Sequence, residues 1–190
     1  MDNKQQPQQT SIAMRIAMAA VLTAITAVFT LAVRVPVAPT RGYINLGDVA
    51  IYFTAFTFGP VTALIAGGLG TAIADLLAGY AQWAPISFVN HGVQGLAAGL
   101  IIQSRIGKRN EAVPGKFDPL TITGVVIAGI VGTVIMVGLY FLAGGFMVGF
   151  PAALVEVPGN IIQNVAGVLL GTLLALSVYR AYPPVRRMTW

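Results

Sequence analysis

The sequence has no cysteine and a single histidine, His91, among its 190 residues. The missing cysteines exclude disulfides, thiolate metal sites and a cysteine nucleophile, and one histidine cannot build a multi-histidine metal centre. The chain also lacks the GxxxxGK[ST] pattern of a phosphate-binding loop, because the glycines of AGGLGTA stand in an apolar segment without a lysine. We therefore expect no metal site and no ATP hydrolysis in this chain.

Charged residues are also scarce, at 9% of the chain, whereas 56% of the residues are hydrophobic. Together with a mean hydropathy of +0.80, this composition excludes a soluble domain and predicts an integral membrane protein. The net charge of +5 would suggest nucleic acid in a soluble protein. Here the basic residues flank apolar segments, where they set membrane topology, and we expect the bilayer rather than nucleic acid as partner.

The apolar segments predict an all-α fold, a bundle of six transmembrane helices in a single membrane domain over residues 11–180. A helix needs about 20 residues to cross a bilayer core, and Gly59-Pro60 divides a longer apolar stretch into two helices. The predicted helices cover residues 12–33, the two parts of 49–77, 84–102, 120–147 and 151–178. The alternative is five spans, with residues 49–58 as a re-entrant or interfacial piece.

The ends of the chain are predicted to lie in the cytoplasm. Residues 1–10 are polar and expected to be disordered. Residues 12–33 are predicted to be a membrane span that the mature protein keeps, rather than a signal peptide. Residues 181–190 are predicted to form a cytoplasmic tail. With this topology only Arg34 and Arg41 lie outside, and residues 34–48, 79–83 and 144–150 are external loops. The basic residues on the inner side, including those of the main loop at 105–118, are Lys4, Arg15, Arg105, Lys108, Arg109, Lys116, Arg180, Arg186 and Arg187.

Polar residues interrupt the last apolar segment. Glu156, Asn160, Gln163 and Asn164 share one helical face because they are four, seven and eight residues from the first of them. Amides in a membrane bundle often serve only to bond one helix to another. A buried carboxylate such as Glu156 needs more, namely a cation, a proton or a ligand.

A second polar cluster lies in the segment at 84–102 and follows two aromatic residues and an acid. Aromatic rings beside amides and an imidazole would hold a flat heterocycle and bond its edge. The alternative is that the tryptophan and tyrosine are membrane-belt anchors and that the histidine is a hydrogen-bonded core residue. The residues concerned are Asp75, Tyr80, Trp83, Asn90, His91 and Gln94.

The loop VRVPVAPTRGYINLGD is predicted to be an ordered turn segment, since it holds two prolines and two glycines. Tyr43, Asn45 and Asp48 give it a ring, an amide and an acceptor, so it could act as a lid over a site. The alternative is a plain connector in which Asp48 caps the next helix.

Small residues recur every four positions on three segments. Gly95 with Gly99 and Gly167 with Gly171 predict close helix approach within the bundle. On the first helix the same pattern could instead dock another protein, through Ala13, Ala17, Ala20 and Ala24.

Four fragments, in their order along the chain, resemble the substrate-binding S-component of energy-coupling factor (ECF) vitamin transporters. They are GYINLGD, GPVTALIAGGLGTAIADLLAGY, WAPISFVNHGVQGLAAG and EVPGNIIQNVAGVLLG. The resemblance covers residues 12–178. It implies six helices in a prokaryotic plasma membrane, a vitamin bound near the outer face, and a transmembrane coupling subunit that contacts the Ala13 and Ala17 pair. It also implies two partner ATPase subunits, which would hold the ATP and magnesium.

The fragments NLGD, ADLLAGY and WAP resemble members assigned to hydroxymethylpyrimidine or pyridoxine, and the riboflavin branch is similar. One carboxylate, one imidazole, several amides and aromatic rings suit a small, uncharged or weakly basic ring, with Glu156 pairing an amino or pyridinium group. The predicted substrate-binding residues are Tyr43, Asn45, Asp75, Tyr80, Trp83, Asn90, His91, Gln94, Glu156, Asn160, Gln163 and Asn164. The alternatives are a riboflavin-binding S-component, a stand-alone transporter and a structural or assembly protein without ligand; an intramembrane enzyme lacks a complete acid, base and nucleophile set.

Overall fold

The computed structural model describes residues 11–106 and 119–188, which form six α-helices, one β-hairpin and a short 3-10 helix. The predicted N-terminal segment 1–10 and most of the predicted inner loop at 105–118 lie outside the described residues. The elements in chain order are α1 (Ile12–Ala32), β1 (Arg34–Val37), β2 (Gly42–Asn45), α2 (Gly47–Phe58), α3 (Pro60–Ala78), α4 (Ala84–Ile106), α5 (Pro119–Val148), α6 (Phe150–Ala181) and the 3-10 helix (Pro183–Met188).

Glycines with positive φ separate two pairs of helices. Gly59 has a φ of 92° and is followed by Pro60 at the start of α3, as the sequence predicts. Gly149, with a φ of 96°, makes the same break between α5 and α6. The predicted external loop at 144–150 is therefore wrong in extent, because α5 continues to Val148 and a single glycine suffices to reverse the chain.

The short helix α2 lies in the middle of the bundle. Its 12 residues span about 18 Å, less than a bilayer core, and all but two of them are buried. It packs against α1, α3, α4 and α6. Among the described residues, five helices are long and apolar enough to cross a membrane. The six predicted helices are present, but six membrane spans are not confirmed, because α2 is too short to be one of the five candidate spans and is enclosed by protein.

Glycines bring α6 and α4 close to their neighbours. A Cβ added at Gly171 would lie 2.9 Å from the backbone nitrogen of Phe53, and one added at Gly167 would meet the Cβ of Asp48. On α4, a Cβ at Gly95 would lie 2.8 Å from the carbonyl oxygen of Ala63. The predicted close helix approach is confirmed at these positions.

The hairpin is the one departure from an all-helical fold in the described residues. Its antiparallel strands pair Arg34 with Asn45 and Val37 with Gly42. It lies against the turn between α3 and α4, where the rings of Tyr43 and Tyr80 are 4.6 Å apart. The segment predicted to be an ordered, non-helical loop is thus a β-hairpin across one end of the bundle.

The 3-10 helix lies at the other end, where α2 and α6 finish. It packs on both helices, and the side chain of Val185 is buried. Nearby, the Tyr179 hydroxyl of α6 donates to the carbonyl oxygen of Phe56 at 2.6 Å. Part of the predicted tail at 181–190 is therefore folded against the bundle.

Candidate functional site

A small cavity lies beneath the hairpin, among α3, α4, α5 and α6. Its volume is about 30 Å³, enough for one or two water molecules. Seven of the twelve predicted substrate-binding residues line it. The lining residues are Gly42, Tyr43, Asn45, Asp75, Trp83, Ser87, Met136, Tyr140, Glu156, Asn160 and Gln163.

Two buried carboxyl groups face this cavity, and each is bonded to the hairpin. The Tyr43 hydroxyl donates to Oδ1 of Asp75 at 2.6 Å, and the Thr40 hydroxyl donates to Oε1 of Glu156. Burial raises the pKa of Tyr43, and its bond to Asp75 raises that pKa further, since a nearby carboxylate disfavours phenolate. The hairpin thus supplies hydroxyl donors to both acids.

Two further bonds hold the hairpin down. The backbone N–H of Asn45 donates to Oε1 of Gln163 at 2.7 Å, and the indole N–H of Trp83 donates to the carbonyl oxygen of Arg41 at 3.1 Å. Trp83 is only 3% exposed, so its interpretation as a membrane-belt anchor is wrong: its ring is a wall of the cavity. The hairpin is therefore fastened to α3, to the turn before α4 and to α6.

One oxygen in the cavity wall is unsatisfied. Oδ2 of Asp75 is buried without a hydrogen-bond partner among the described residues. Buried carboxylate oxygens in native proteins normally accept hydrogen bonds. A ligand donor in the cavity would supply the bond that the protein does not.

Beneath the cavity, a polar network converges on Asp48, which is fully buried. The Gln94 amide donates to Oδ1 of Asp48 and the Gln163 amide to Oδ2, each at 2.5 Å. Nδ1 of His91 lies 2.7 Å from Oε1 of Gln94 and 3.7 Å from Asp48. Asp48 makes no cap bond to α2, so the alternative that it caps this helix is wrong.

The two remaining asparagines bond helices together. The Asn90 amide donates to the carbonyl oxygen of Met136 at 3.0 Å. Oδ1 of Asn164 accepts from the hydroxyls of Tyr52, at 2.7 Å, and Thr133, at 2.9 Å. These contacts are of the helix-bonding kind, and neither asparagine lines the cavity.

An aromatic wall completes the site. Tyr140 of α5 lies edge-on to Trp83, with ring centroids 5.8 Å apart, and to His91 at 5.6 Å. Its hydroxyl shares a hydrogen bond with that of Ser87 at 2.6 Å. Of the predicted aromatic residues, Tyr43 and Trp83 line the cavity, whereas Tyr80 packs against the ring of Tyr43.

Several residues of the site were not predicted from the sequence. Tyr140 is the single tyrosine of α5 and stands four residues after Met136, a spacing that would have placed both on one face. No local sequence pattern pointed to Thr40, because its hydrogen-bond partner, Glu156, is 116 residues away. The residues not predicted are Thr40, Gly42, Ser87, Met136 and Tyr140, and Asp48 was considered only for the loop.

The arrangement suits binding of a small molecule. Among the described residues, no group of three or more acidic or histidine side chains could hold a metal ion. The cavity offers carboxylate acceptors, amides and flat rings, which together fix the orientation of a small aromatic molecule.

A family model described as "ECF-type riboflavin transporter, S component" matches residues 11–180. The chain is 30% identical over 167 residues to the "Thiamine precursor transporter HmpT" of Lactococcus lactis, covering 87% of this chain and 88% of that protein. It is also 30% identical over 158 residues to an "Uncharacterized protein in gap 3'region" of Pyrococcus woesei, with 83% and 97% covered.

A solved structure shares the fold. It comes from work titled "Structure and mechanism of the S component of a bacterial ECF transporter", with a TM-score of 0.63 and 21% identity over 90% of this chain and 98% of that one. The family model matches nearly all of the chain, and five helices of the bundle are long and apolar enough for a membrane protein of this family. The protein is a multi-pass membrane protein and not an enzyme, and it belongs to the family of S components of ECF-type vitamin transporters.

Proposed function

We propose that this S component binds a small aromatic vitamin precursor, of the hydroxymethylpyrimidine or pyridoxine type, in the cavity beneath the hairpin. The observation that carries the proposal is the pair of buried acids, Asp75 and Glu156, that face one cavity. Carboxylates accept hydrogen bonds and attract cations. A ring bearing amino, hydroxyl or pyridinium groups supplies those donors.

The surroundings of the acids favour a flat ring. Trp83 and Tyr140 provide aromatic surface in the cavity wall. Asn160 and Gln163, which both lie on α6, provide amide groups. Amides can both donate to ring nitrogens and accept from hydroxyl groups. Because the charged side chains that line the cavity in the described part of the chain are both acids, a polyanion such as a phosphorylated cofactor would be repelled.

Cavity size favours a single ring. Ligand pockets usually measure at least about 300 Å³, so the cavity of about 30 Å³ must widen on binding. The hairpin is the element that can move, since it is fastened by a few hydrogen bonds. A pyrimidine or pyridine needs less widening than the three fused rings of riboflavin. Riboflavin remains the second candidate, because the matching family model is described by that vitamin.

Transport requires partners that hydrolyse ATP. We propose that a transmembrane coupling subunit and two ATPase subunits, which hold ATP and magnesium, complete the importer. The absence of a phosphate-binding loop in the sequence supports this division of labour. The docking surface we propose is a stripe of small residues on α1, which is exposed along its length, at Ala13, Ala17, Ala20 and Ala24.

The test is thermal unfolding of the purified protein with hydroxymethylpyrimidine, pyridoxine, riboflavin, thiamine, pantothenate, niacin, biotin or folate. A ligand at about 1,000 times its dissociation constant adds about 4 kcal/mol to the free energy of unfolding. We expect one of the first two compounds to raise the unfolding temperature, and the shift to shrink in Asp75→Asn. A shift by riboflavin alone would select the second candidate. No shift by any compound, with the protein folded, would favour a structural or assembly role.

A further inference from the structure

Asp48 fixes the orientation of two glutamine side chains beneath the cavity. It lies fully buried in the first turn of α2, where a helix N-terminus stabilises negative charge. Both of its carboxyl oxygens accept hydrogen bonds from glutamine amides. Gln94 and Gln163 must therefore both turn their NH2 groups toward Asp48, and their carbonyl oxygens point away from it.

The two carbonyl oxygens have partners of different character. Oε1 of Gln163 accepts from the backbone N–H of Asn45 at 2.7 Å, a donor that cannot become an acceptor. Oε1 of Gln94 lies 2.7 Å from Nδ1 of His91, so that nitrogen must carry a hydrogen. A neutral imidazole can move its hydrogen to the other nitrogen. One side of the network is thus fixed, and the other can adapt.

We propose that Asp48 is a positioning residue: it holds the carbonyl group of Gln163 toward the hairpin and holds His91 as the tautomer with a hydrogen on Nδ1. Through Gln163, Asp48 keeps the hairpin bonded over the cavity without touching the ligand. The consequence for ligand retention rests on the proposed function, whereas the consequence for His91 holds for the protein without any ligand.

Replacing Asp48 by asparagine separates the two sides of the network. Asparagine has one side-chain oxygen where aspartate has two, so it can accept from only one of the two glutamines. Its NH2 group needs an acceptor of its own. Gln163 keeps its orientation, because its NH2 group donates to the asparagine oxygen while its own oxygen still accepts from the Asn45 N–H. Gln94 can turn, provided that Nδ1 of His91 loses its hydrogen and accepts from the Gln94 amide. Asp48→Asn should therefore switch the His91 tautomer and leave the hairpin bond intact.

The experiment is 15N NMR of the imidazole at mildly alkaline pH, with the protein purified through a tag without histidine. His91 is the one histidine of the chain, so every imidazole signal belongs to it, and the couplings to the ring hydrogens distinguish Nδ1 from Nε2. We expect a hydrogen on Nδ1 in the wild type and none on Nδ1 in Asp48→Asn. The matched control, Glu156→Gln, changes a buried acid outside this network and should keep the wild-type pattern. A bare Nδ1 in the wild type, or a hydrogen kept on Nδ1 in Asp48→Asn, would overturn the proposal.

Ligand dissociation tests the link to the hairpin, with a radiolabelled compound that the thermal panel identifies. Asp48→Ala leaves both amides without their acceptor, so Gln163 is held only through the Asn45 N–H, and we expect the dissociation rate to rise about tenfold, as for loss of a hydrogen bond. In Asp48→Asn the rate should stay within about threefold of wild type, since Gln163 keeps its orientation. An unchanged rate in Asp48→Ala, or an equal rise in both variants, would refute the positioning role. If no compound binds, the proposed function fails, and the NMR result still decides the orientation of the network.

Discussion

At the scale of single residues, the site depends on acids buried where a membrane protein can least tolerate them. Asp48, Asp75 and Glu156 are each under a tenth exposed. Asp48 is satisfied by two amides, and the other two acids accept from hydroxyls of the hairpin. The two acids of the cavity therefore hold the hairpin through hydrogen bonds and remain available to a ligand.

The charge of Glu156 should matter more for ligand binding than for folding. In Glu156→Gln the amide oxygen can still accept from Thr40, so the hairpin contact survives. We expect a cationic ring to lose about tenfold or more in affinity, since hydrogen bonds to charged groups contribute about 1.5–3 kcal/mol. Calorimetric titration at a pH where the ring is protonated measures this loss, and a neutral analogue is the control. Equal affinity of both proteins for the cation would remove Glu156 from the site.

The hydroxyl of Tyr43 should stabilise the ligand-free protein over a wide pH range. Tyr43→Phe leaves an oxygen of Asp75 buried and unpaired, at a cost of about 1–3 kcal/mol. Because the folded-state pKa of Tyr43 is raised, this stabilisation is fully present below about pH 10 and is lost only as the pH rises through that higher value.

Thermal unfolding of wild type and Tyr43→Phe between about pH 6 and 9 checks this prediction. The difference in unfolding temperature should stay constant across the range. Tyr80→Phe keeps the ring that packs on Tyr43 and serves as the matched control, with a smaller effect. A difference that disappeared on going from pH 6 to 9 would show that the hydroxyl does not act as a donor in this way.

At the scale of elements, the sequence predicted which helical faces are buried but not what they contact. Glu156, Asn160, Gln163 and Asn164 do share the buried face of α6, because helical periodicity is a local property. Their partners come from the hairpin, α2 and α5, and Asp48 lies 115 residues from Gln163. Such pairings follow from packing, which periodicity does not specify.

The contact between α6 and α2 should be sensitive to one methyl group. In Gly167→Ala the new Cβ would meet the Cβ of Asp48 and lie 3.0 Å from its carbonyl carbon, so the helices must separate. We expect a loss of about 1–3 kcal/mol in stability, as for other overpacked interfaces, with weaker ligand binding because Asp48 moves.

Gly138→Ala on α5 is the matched control for this substitution. A Cβ at Gly138 meets no atom within 4 Å, so the change should be neutral or stabilising by up to about 1 kcal/mol through helix propensity. Denaturation of both variants by heat in detergent compares them. If Gly167→Ala were as stable as Gly138→Ala, the close approach of α6 and α2 would be wrong.

At the scale of the whole molecule, binding and transport should separate by surface. The cavity opens under the hairpin, whereas the small-residue stripe runs along the outside of α1. The helix α1 packs inward on α2 and α3, and Ala17 is exposed on the other side. A large side chain there leaves the bundle unchanged but obstructs close approach by a partner helix.

We expect Ala17→Trp to bind ligand as the wild type does and to lose most of its uptake in cells that contain the coupling subunit and ATPases. Val134→Trp places the same side chain at an exposed position on α5, a helix that packs on α4 and α6, and should transport normally. Normal uptake by Ala17→Trp would refute docking through α1. Wild-type uptake that persisted without the ATPases would identify a stand-alone transporter.

The sequence by itself determined the membrane class, the positions of the helices and the polar faces of α4 and α6, because hydropathy and periodicity depend on neighbouring residues. The tertiary structure decided that residues 34–45 form a hairpin, that α2 is enclosed, and that Asp48 joins Gln94 to Gln163. It also decided that Trp83 is buried and that Tyr140 faces the cavity. The strands of the hairpin pair locally, but its position over the cavity and the other features depend on contacts between distant residues, with hydrogen bonds that join residues 42 to 118 positions apart and form only when the helices pack.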